Sequence, residues 1–201
     1  LVKDVCSRPY IELTLGVMND FGIIVENNDC LSFVVPPAQR YLARTYEIEG
    51  DYSSSSYLFA AAAVTGGAVT VKNLHPDSKQ GDTFFLTLLR KMGCDIERNK
   101  NEVTVRGAGE LRSLTVDLND YPDIVQSVAV VAAFAKGTTR ITNVGQLKHK
   151  EANRIESTAS ELKKMGVQVA HDDRSLEITG GSPKGAVINT HNDHRTAMSF
   201  A

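Results

Sequence analysis

Apolar residues at Ile155, Ala159, Leu162 and Met165 recur at the spacing of a helix with one buried stripe. The polar run Lys148-His149-Lys150-Glu151-Ala152-Asn153-Arg154 in front of them reads as the opening of that helix. Lys150 and Arg154, four apart, then share one edge of its first turn. Two cations there oppose the positive end of the helix dipole, an arrangement that becomes favourable only when an anion sits beside them. Taken alone, the segment is therefore expected to be exposed or to hold an anion. Earlier in the chain, Ile11, Leu15 and Met18 predict a helix after Ser7-Arg8-Pro9-Tyr10, and alanine- and valine-rich helices are predicted to end before Gly67 and Gly137.

The same pattern recurs along the chain. Leu89-Arg90-Lys91-Met92-Gly93-Cys94-Asp95-Ile96 is echoed by Leu162-Lys163-Lys164-Met165-Gly166-Val167-Gln168-Val169, and more loosely by Val17-Met18-Asn19-Asp20-Phe21-Gly22-Ile23-Ile24. Each is a helix ending at a glycine and followed by a strand-like run. Gly67-Ala68-Val69-Thr70-Val71-Lys72-Asn73-Leu74 likewise matches Gly137-Thr138-Thr139-Arg140-Ile141-Thr142-Asn143-Val144. Gly50-Asp51-Tyr52, Asn119-Asp120-Tyr121 and Asn192-Asp193-His194 each stand where a helix should start, with Asn or Asp available as a cap.

Assembled, one unit reads strand, capped helix, strand, helix, strand, strand, an α/β (α+β) βαβαββ repeat of about seventy residues. Residues 46–107 form one copy and 114–180 another. Residues 1–35 read as the back half of an earlier copy and 186–201 as the front of a later one. Pro36-Pro37, Gly107-Ala108-Gly109 and Gly180-Gly181-Ser182-Pro183 are the natural joints. The division that follows is 1–47, the last unit of a first domain plus a linker, and 48–201, most of a second domain with units 48–107 and 114–180 and a truncated segment 186–201. Leu1 is not a start methionine and the chain stops inside a predicted helix at Met198-Ser199-Phe200-Ala201, so a longer polypeptide is expected.

Composition narrows the function without naming it. With 201 residues the chain can bury a real core, and its 42% hydrophobic and 23% charged residues are ordinary for a soluble globular protein. A net charge of −2 without a Lys/Arg-rich run argues against nucleic acid as a partner, while leaving small anions open. Leu58 to Val64 and Val128 to Ala135 are too short to span a bilayer, and the opening residues do not form a signal peptide, so no membrane association is expected. Cys6, Cys30 and Cys94 lack CxxC spacing, which argues against a disulfide framework or a zinc site and for reduced thiols in a cytoplasmic protein. No metal or cofactor motif is present: there is no P-loop, no GxGxxG fingerprint, no Ser-His-Asp order.

Chemistry concentrates at the helix starts. In Asn119-Asp120-Tyr121-Pro122-Asp123, a proline near the first helical position precedes a carboxylate that reads either as a dipole-favoured acid or as a base facing a ligand hydroxyl. Arg195 is an unfavourable choice at a helix start unless an anion is near, while His194 reads as a structural hydrogen-bonder. Ser53 to Ser56 could cradle a phosphate or simply cap a helix, and Ser7 likewise. Together Lys150, Arg154 and Arg195 supply positive charge, and Asp123 and Glu151 supply candidate proton carriers, which amounts to an anionic-ligand site.

Gly50-Asp51-Tyr52-Ser53-Ser54-Ser55-Ser56-Tyr57, Gln80-Gly81-Asp82, Pro122-Asp123, Lys150-Glu151-Ala152-Asn153-Arg154 and Asn192-Asp193-His194-Arg195 resemble, in that order, motifs of the EPSP synthase family of enolpyruvyl transferases. The resemblance implies an α/β prism built from βαβαββ units, in two domains. It implies transfer of the enolpyruvyl group of phosphoenolpyruvate to the 5-hydroxyl of shikimate 3-phosphate, in the shikimate pathway to chorismate and the aromatic amino acids, without a cofactor or metal. On the same resemblance Ser7, Tyr10, Gln146 and Lys150 match shikimate 3-phosphate contacts, with Gln146 keeping an amide where the family usually has asparagine. Asp123 matches the proton acceptor beside the 5-hydroxyl, Glu151 the carboxylate that moves the proton at the enol carbon, and Arg154 and Arg195 the guanidiniums that grip phosphoenolpyruvate. Family groups without a counterpart here imply that this chain alone is inactive, and a monomer is expected at full length. The rival readings are a UDP-N-acetylglucosamine enolpyruvyl transferase and a noncatalytic domain of the same fold that binds an anionic metabolite.

Overall fold

The computed structural model describes Lys3 and residues 5–201; Leu1, Val2 and Asp4, which open the segment assigned to the first domain, lie outside the described residues. Helix α1 (Arg8–Asp20) leads into a hairpin of β1 (Glu26–Asn28) and β2 (Ser32–Val34). Residues 36–51 then carry neither helix nor strand. This stretch folds back on the end of α1, where Leu42 N–H donates to Phe21 O and the rings of Phe21 and Tyr46 lie 5.3 Å apart.

Helix α2 (Tyr52–Thr65), β3 (Ala68–Lys72), α3 (Phe84–Lys91), β4 (Asp95–Asn99) and β5 (Glu102–Arg106) follow. The strands form an antiparallel sheet in the order β3-β5-β4. The opening strand expected near residues 46–49 does not form: the chain there is irregular, and Ile48, which would have to face the core, is exposed. Only Gly50 N–H, donating to Asn73 O at 2.6 Å, and Asn73 Nδ2, donating to Ile48 O, attach it to the end of β3.

The next unit is complete. Strand β6 (Thr115–Asp117), α4 (Val125–Ala133), β7 (Thr138–Thr142), α5 (Arg154–Lys164), β8 (Gln168–His171) and β9 (Leu176–Thr179) give the sheet order β6-β7-β9-β8, with β6 and β7 parallel. Its β7-β9-β8 portion repeats the β3-β5-β4 order of the preceding unit. Helix α6 (His194–Ser199) closes the chain.

The core explains why these helices form where they do. All nine residues of α4 are buried, because Val125-Gln126-Ser127-Val128-Ala129-Val130-Val131-Ala132-Ala133 is apolar nearly all round and is enclosed on every side. Helix α2, with Tyr52, Phe59, Ala62 and Ala63 buried, packs on α4 and on β3 and β5, so the alanine-rich helices lie between the two sheets. Small residues allow that close approach. Strands β5 and β9 send Val103, Val105, Leu176 and Ile178 inward. Among the described residues no helix is long and apolar enough to cross a membrane, and the three cysteines are unpaired.

Candidate functional site

The helix starts converge on one corner, and they are built differently from one another. Asp51 caps α2, its carboxylate accepting from the N–H groups of Ser53 and Ser54, and Asp193 caps α6, accepting from Arg195 N–H at 2.9 Å. Asn119 and Asp120 do not cap. Asn119 instead binds the entry to α1, its Nδ2 donating to Val5 O and its carbonyl accepting from Ser7 N–H, while Asp120 accepts from Arg8 N–H. Pro122 and Asp123 stand in a 3-10 turn, Pro122–Ile124, that runs into α4. Ser7 does not cap α1 either, because its backbone is left-handed, at φ 59°, and its side chain makes no capping bond.

The largest departure from expectation concerns Lys148 to Arg154. This segment does not open the helix: a 3-10 turn occupies Gly145–His149, and α5 begins at Arg154 with Asn153 as its cap, the side chain accepting from Glu156 N–H. Nor is Arg154 exposed. Its side chain is 2% accessible, and the anions beside it belong to the chain itself. Its Nε donates to Asp193 at 2.7 Å, its Nη1 to Asp123 at 3.2 Å and its Nη2 to Glu151 at 2.5 Å. The guanidinium offers five donors in a rigid fork, which is why arginine can bind three carboxylates at once. Lys150 is exposed and forms no ion pair among the described residues.

Arg195 extends the network. Its Nη2 lies 2.9 Å from Asp123 Oδ2, and its Nη1 donates to Ser53 Oγ and, at 3.1 Å, to Asp123 O. Asp123 thus sits between two guanidiniums, about one fifth accessible, the most open polar atom set between Arg154 and Arg195. Tyr10 approaches from α1 and donates its hydroxyl to Asp82 at 2.8 Å. A cavity of about 200 Å³ is enclosed by Tyr10, Ser53, Asp82, Asp123 and Arg195, among others. A larger one, about 770 Å³, lies between α1 and residues 75–79. We place the site at the smaller cavity, because acids, guanidiniums and hydroxyls converge there.

Electrostatics separates Asp193 from Asp82. Burial would raise Asp193, but hydrogen bonds from Arg154 and Arg195 N–H outweigh it and hold the carboxyl below its ordinary range. Asp82 goes the other way: burial dominates, and despite the Tyr10 hydrogen bond it is pushed up to about 6, the charge on Asp123 adding to the rise. Burial also raises the Tyr10 hydroxyl, and Asp82 reinforces that, so Tyr10 acts as a donor and not as a phenolate.

The corner therefore joins Asp123, Glu151, Arg154 and Arg195 in one connected set, and the bonded pair of Tyr10 and Asp82 lines the same cavity. Ser7 and Gln146 meet next to it on Asn119 O, Gln146 Nε2 donating at 3.0 Å. Lys150 enters no bond within it. Asp82 beside Tyr10 and Asp193 under Arg154 had no place in the sequence-derived site, and Ser53, read there as a phosphate cradle or a cap, binds Arg195. Asp82 was visible as part of Gln80-Gly81-Asp82 and Asp193 as a cap, but pairing across 39 residues, as between Arg154 and Asp193, carries no local signal. Chemically, the arrangement offers an exposed-edge base between two fixed positive charges, a second carboxylate on Arg154, and neutral hydroxyl donors.

Comparison with known proteins agrees over the whole length. The sequence profile of EPSP synthase (3-phosphoshikimate 1-carboxyvinyltransferase) matches residues 1–201. A protein of Methanosphaerula palustris named 3-phosphoshikimate 1-carboxyvinyltransferase is 46% identical over 97% of this chain and 46% of its own. One of the same name from Syntrophobacter fumaroxidans is 45% identical over 100% of this chain and 48% of its own. The chain thus spans about half the length of the curated relatives it matches. The structure of EPSP synthase from Acinetobacter baumannii superposes with a TM-score of 0.82 over 99% of this chain and 48% of that one, at 23% identity, a likeness of fold.

Proposed function

The chain belongs to the EPSP synthase family, and from that premise we propose that it supplies one face of an enolpyruvyl transferase cleft. The reaction is transfer of the enolpyruvyl group from phosphoenolpyruvate to the 5-hydroxyl of shikimate 3-phosphate. The observation that carries this reading is the unbroken chain of contacts from Glu151 through Arg154 and Asp123 to Arg195, two proton carriers alternating with two guanidiniums.

The chemistry needs that alternation. In the addition step the 5-hydroxyl oxygen bonds to C2 of phosphoenolpyruvate while C3 takes a proton, giving a tetrahedral ketal phosphate. In the elimination step the C2–O bond to phosphate breaks, C3 loses a proton, and the enol ether and inorganic phosphate leave. Asp123, about one fifth accessible, takes the hydroxyl proton and passes it to the departing phosphate; Glu151 enters the cycle protonated, gives its proton to C3 in the addition and takes one back from C3 in the elimination, so both end as they began. Arg154 and Arg195 hold the carboxylate and phosphate of phosphoenolpyruvate, a task that suits planar forks. Ser7, Tyr10, Gln146 and Lys150 hold shikimate 3-phosphate, with Lys150, which has no ion pair among the described residues, supplying charge for the phosphate. Because Arg154 is already bound by three carboxylates, phosphoenolpyruvate must displace Glu151 from it, which takes away the guanidinium that favours the ionised form and leaves that carboxyl free to take up a proton and deliver it to C3.

The test is phosphate release by the full-length protein with shikimate 3-phosphate and, separately, UDP-N-acetylglucosamine as acceptor. Release with the first alone is expected. Asp123→Asn and Glu151→Gln should each lower kcat by about a hundred- to ten-thousand-fold while substrate binding survives; unchanged turnover in either sinks the assignment. The 201 residues by themselves should show no turnover.

A further inference from the structure

One fully buried carboxylate lies outside this mechanism. Glu161 of α5 has a side chain with no accessible surface, and it stands seven residues after Arg154, two turns along the same face of the helix. It accepts from Lys164 Nζ at 2.7 and 2.9 Å, from Asn189 N–H at 3.0 Å and, at 2.8 Å, pairs with His191 Nε2. Burial would raise Glu161, but the bonds from Lys164, His191 and Asn189 prevail and bring it down to about 2, so it is an anion at any working pH.

What it holds is the approach to the site. Residues 182–190 have neither helix nor strand. Lys184 N–H, donating to Met165 O, and Asp193, bound by Arg154, fix its two ends. Among the described hydrogen bonds of residues 185–192, those to Glu161 tie the segment to the body of the protein, while His191 N–H to Asn189 Oδ1 and Asp193 N–H to Thr190 O are internal to it. Immediately afterwards His191 and Asn192 take left-handed backbone, φ 53° and 55°; histidine and asparagine tolerate that region singly, but two such residues in succession are uncommon. That double turn delivers Asp193 to the cap of α6 and Arg195 to its first turn. Helix α5 thus grips one short segment twice, by Arg154 on Asp193 and by Glu161 on Asn189 and His191.

We propose that Glu161 is a positioning residue for Arg195: its hold on Asn189 and His191 fixes the turn that aims the Arg195 guanidinium at Asp123 and at the anion of the cleft. This rests on the reading of Arg195 as a phosphoenolpyruvate ligand. In Glu161→Gln the size is kept, but an amide group presents donors to the donors of Asn189 and His191, so the turn loses its anchor.

Two measurements decide it. In the 201-residue chain, the Arg195 Nε–H resonance should shift or broaden in Glu161→Gln while that of Arg90, far along α3, stays in place. In the full-length protein, the KM for phosphoenolpyruvate should rise about tenfold with the KM for shikimate 3-phosphate within about twofold. His191→Ala, which leaves the carboxylate and removes one strap, should produce a smaller change with the same split and serves if Glu161→Gln does not fold. An unmoved Arg195 resonance, or two KM values that change together, overturns the proposal and leaves Glu161 a stabilising residue only. Wild-type protein that turns over no phosphoenolpyruvate removes the functional reading, and the Arg195 resonance then still decides the positioning.

Discussion

At the scale of single residues, the corner is governed by how charge is paired out of water. Asp193 has no accessible surface and depends on Arg154 for compensation. Removing one partner of a buried pair leaves the other charge stranded, at a cost of about 3–5 kcal/mol. Arg154→Met should therefore lower the urea midpoint by about that much stability, and Arg154→Lys should restore little, because an ammonium cannot span three carboxylates. Asp82 predicts a pH effect of the opposite character. Its carboxyl, pushed up to about 6, binds its proton more tightly in the folded state than in the unfolded chain. Its contribution is thus most favourable below the ordinary value of 3.8 and is lost as pH rises through about 6. Between about pH 4 and pH 7 the wild type should lose on the order of 2–3 kcal/mol relative to Asp82→Asn. Parallel midpoints for the two across that range would disprove the assignment. Glu161 and Asp193, both held low, gain their stabilisation as pH rises to their ordinary values of 4.5 and 3.8, and because both are present in wild type and in Asp82→Asn their effect cancels in the comparison.

At the scale of elements, the repeat is enforced by backbone approaching backbone. Gly107 after β5 and Gly180 after β9 occupy equivalent places, each against the end of its unit's central helix. A Cβ on Gly107 would lie 2.3 Å from Ala62 O, and one on Gly180 would lie 2.0 Å from Ala135 O. Main-chain atoms cannot swing aside as a side-chain tip can. Gly107→Ala and Gly180→Ala should each cost about 1–3 kcal/mol by overpacking, whereas Gly109→Ala and Gly181→Ala, which meet nothing within 4 Å, should be nearly neutral in thermal or urea unfolding. The element pattern was largely legible from hydrophobic period and glycine stops. Two boundaries were not. Helix α5 starts six residues later than its polar prelude suggested, since Lys148 to Asn153 has no apolar period to mark a start and the cap fell to Asn153. The strand expected before α2 is absent, because the alternation Tyr46, Ile48 is too short to specify a partner or a face.

At the scale of the whole molecule, stability is uneven. Helix α1 has no buried residue, and the β1-β2 hairpin exposes Phe33 and Val34, whereas α4, β7 and β9 surround the deepest part of the core. Native-state hydrogen exchange should accordingly show α1 and the hairpin opening at much lower free energy than α4, β7 and β9, with the latter approaching global unfolding. Equal protection throughout would mean that α1 is held by more than its contacts at Asn119, Asp120 and Asp82. The sequence by itself determined the repeat, the buried alanine-rich helices, the caps at Asp51 and Asp193 and the types of residue at the site, because period, cap and turn chemistry are local. Only the tertiary structure decided which charge meets which. Arg154 found Asp193, Asp123 and Glu151, Tyr10 found Asp82, and Arg195 found Ser53 and Asp123, since the pairing of buried charges depends on the packing of helices that lie far apart along the chain.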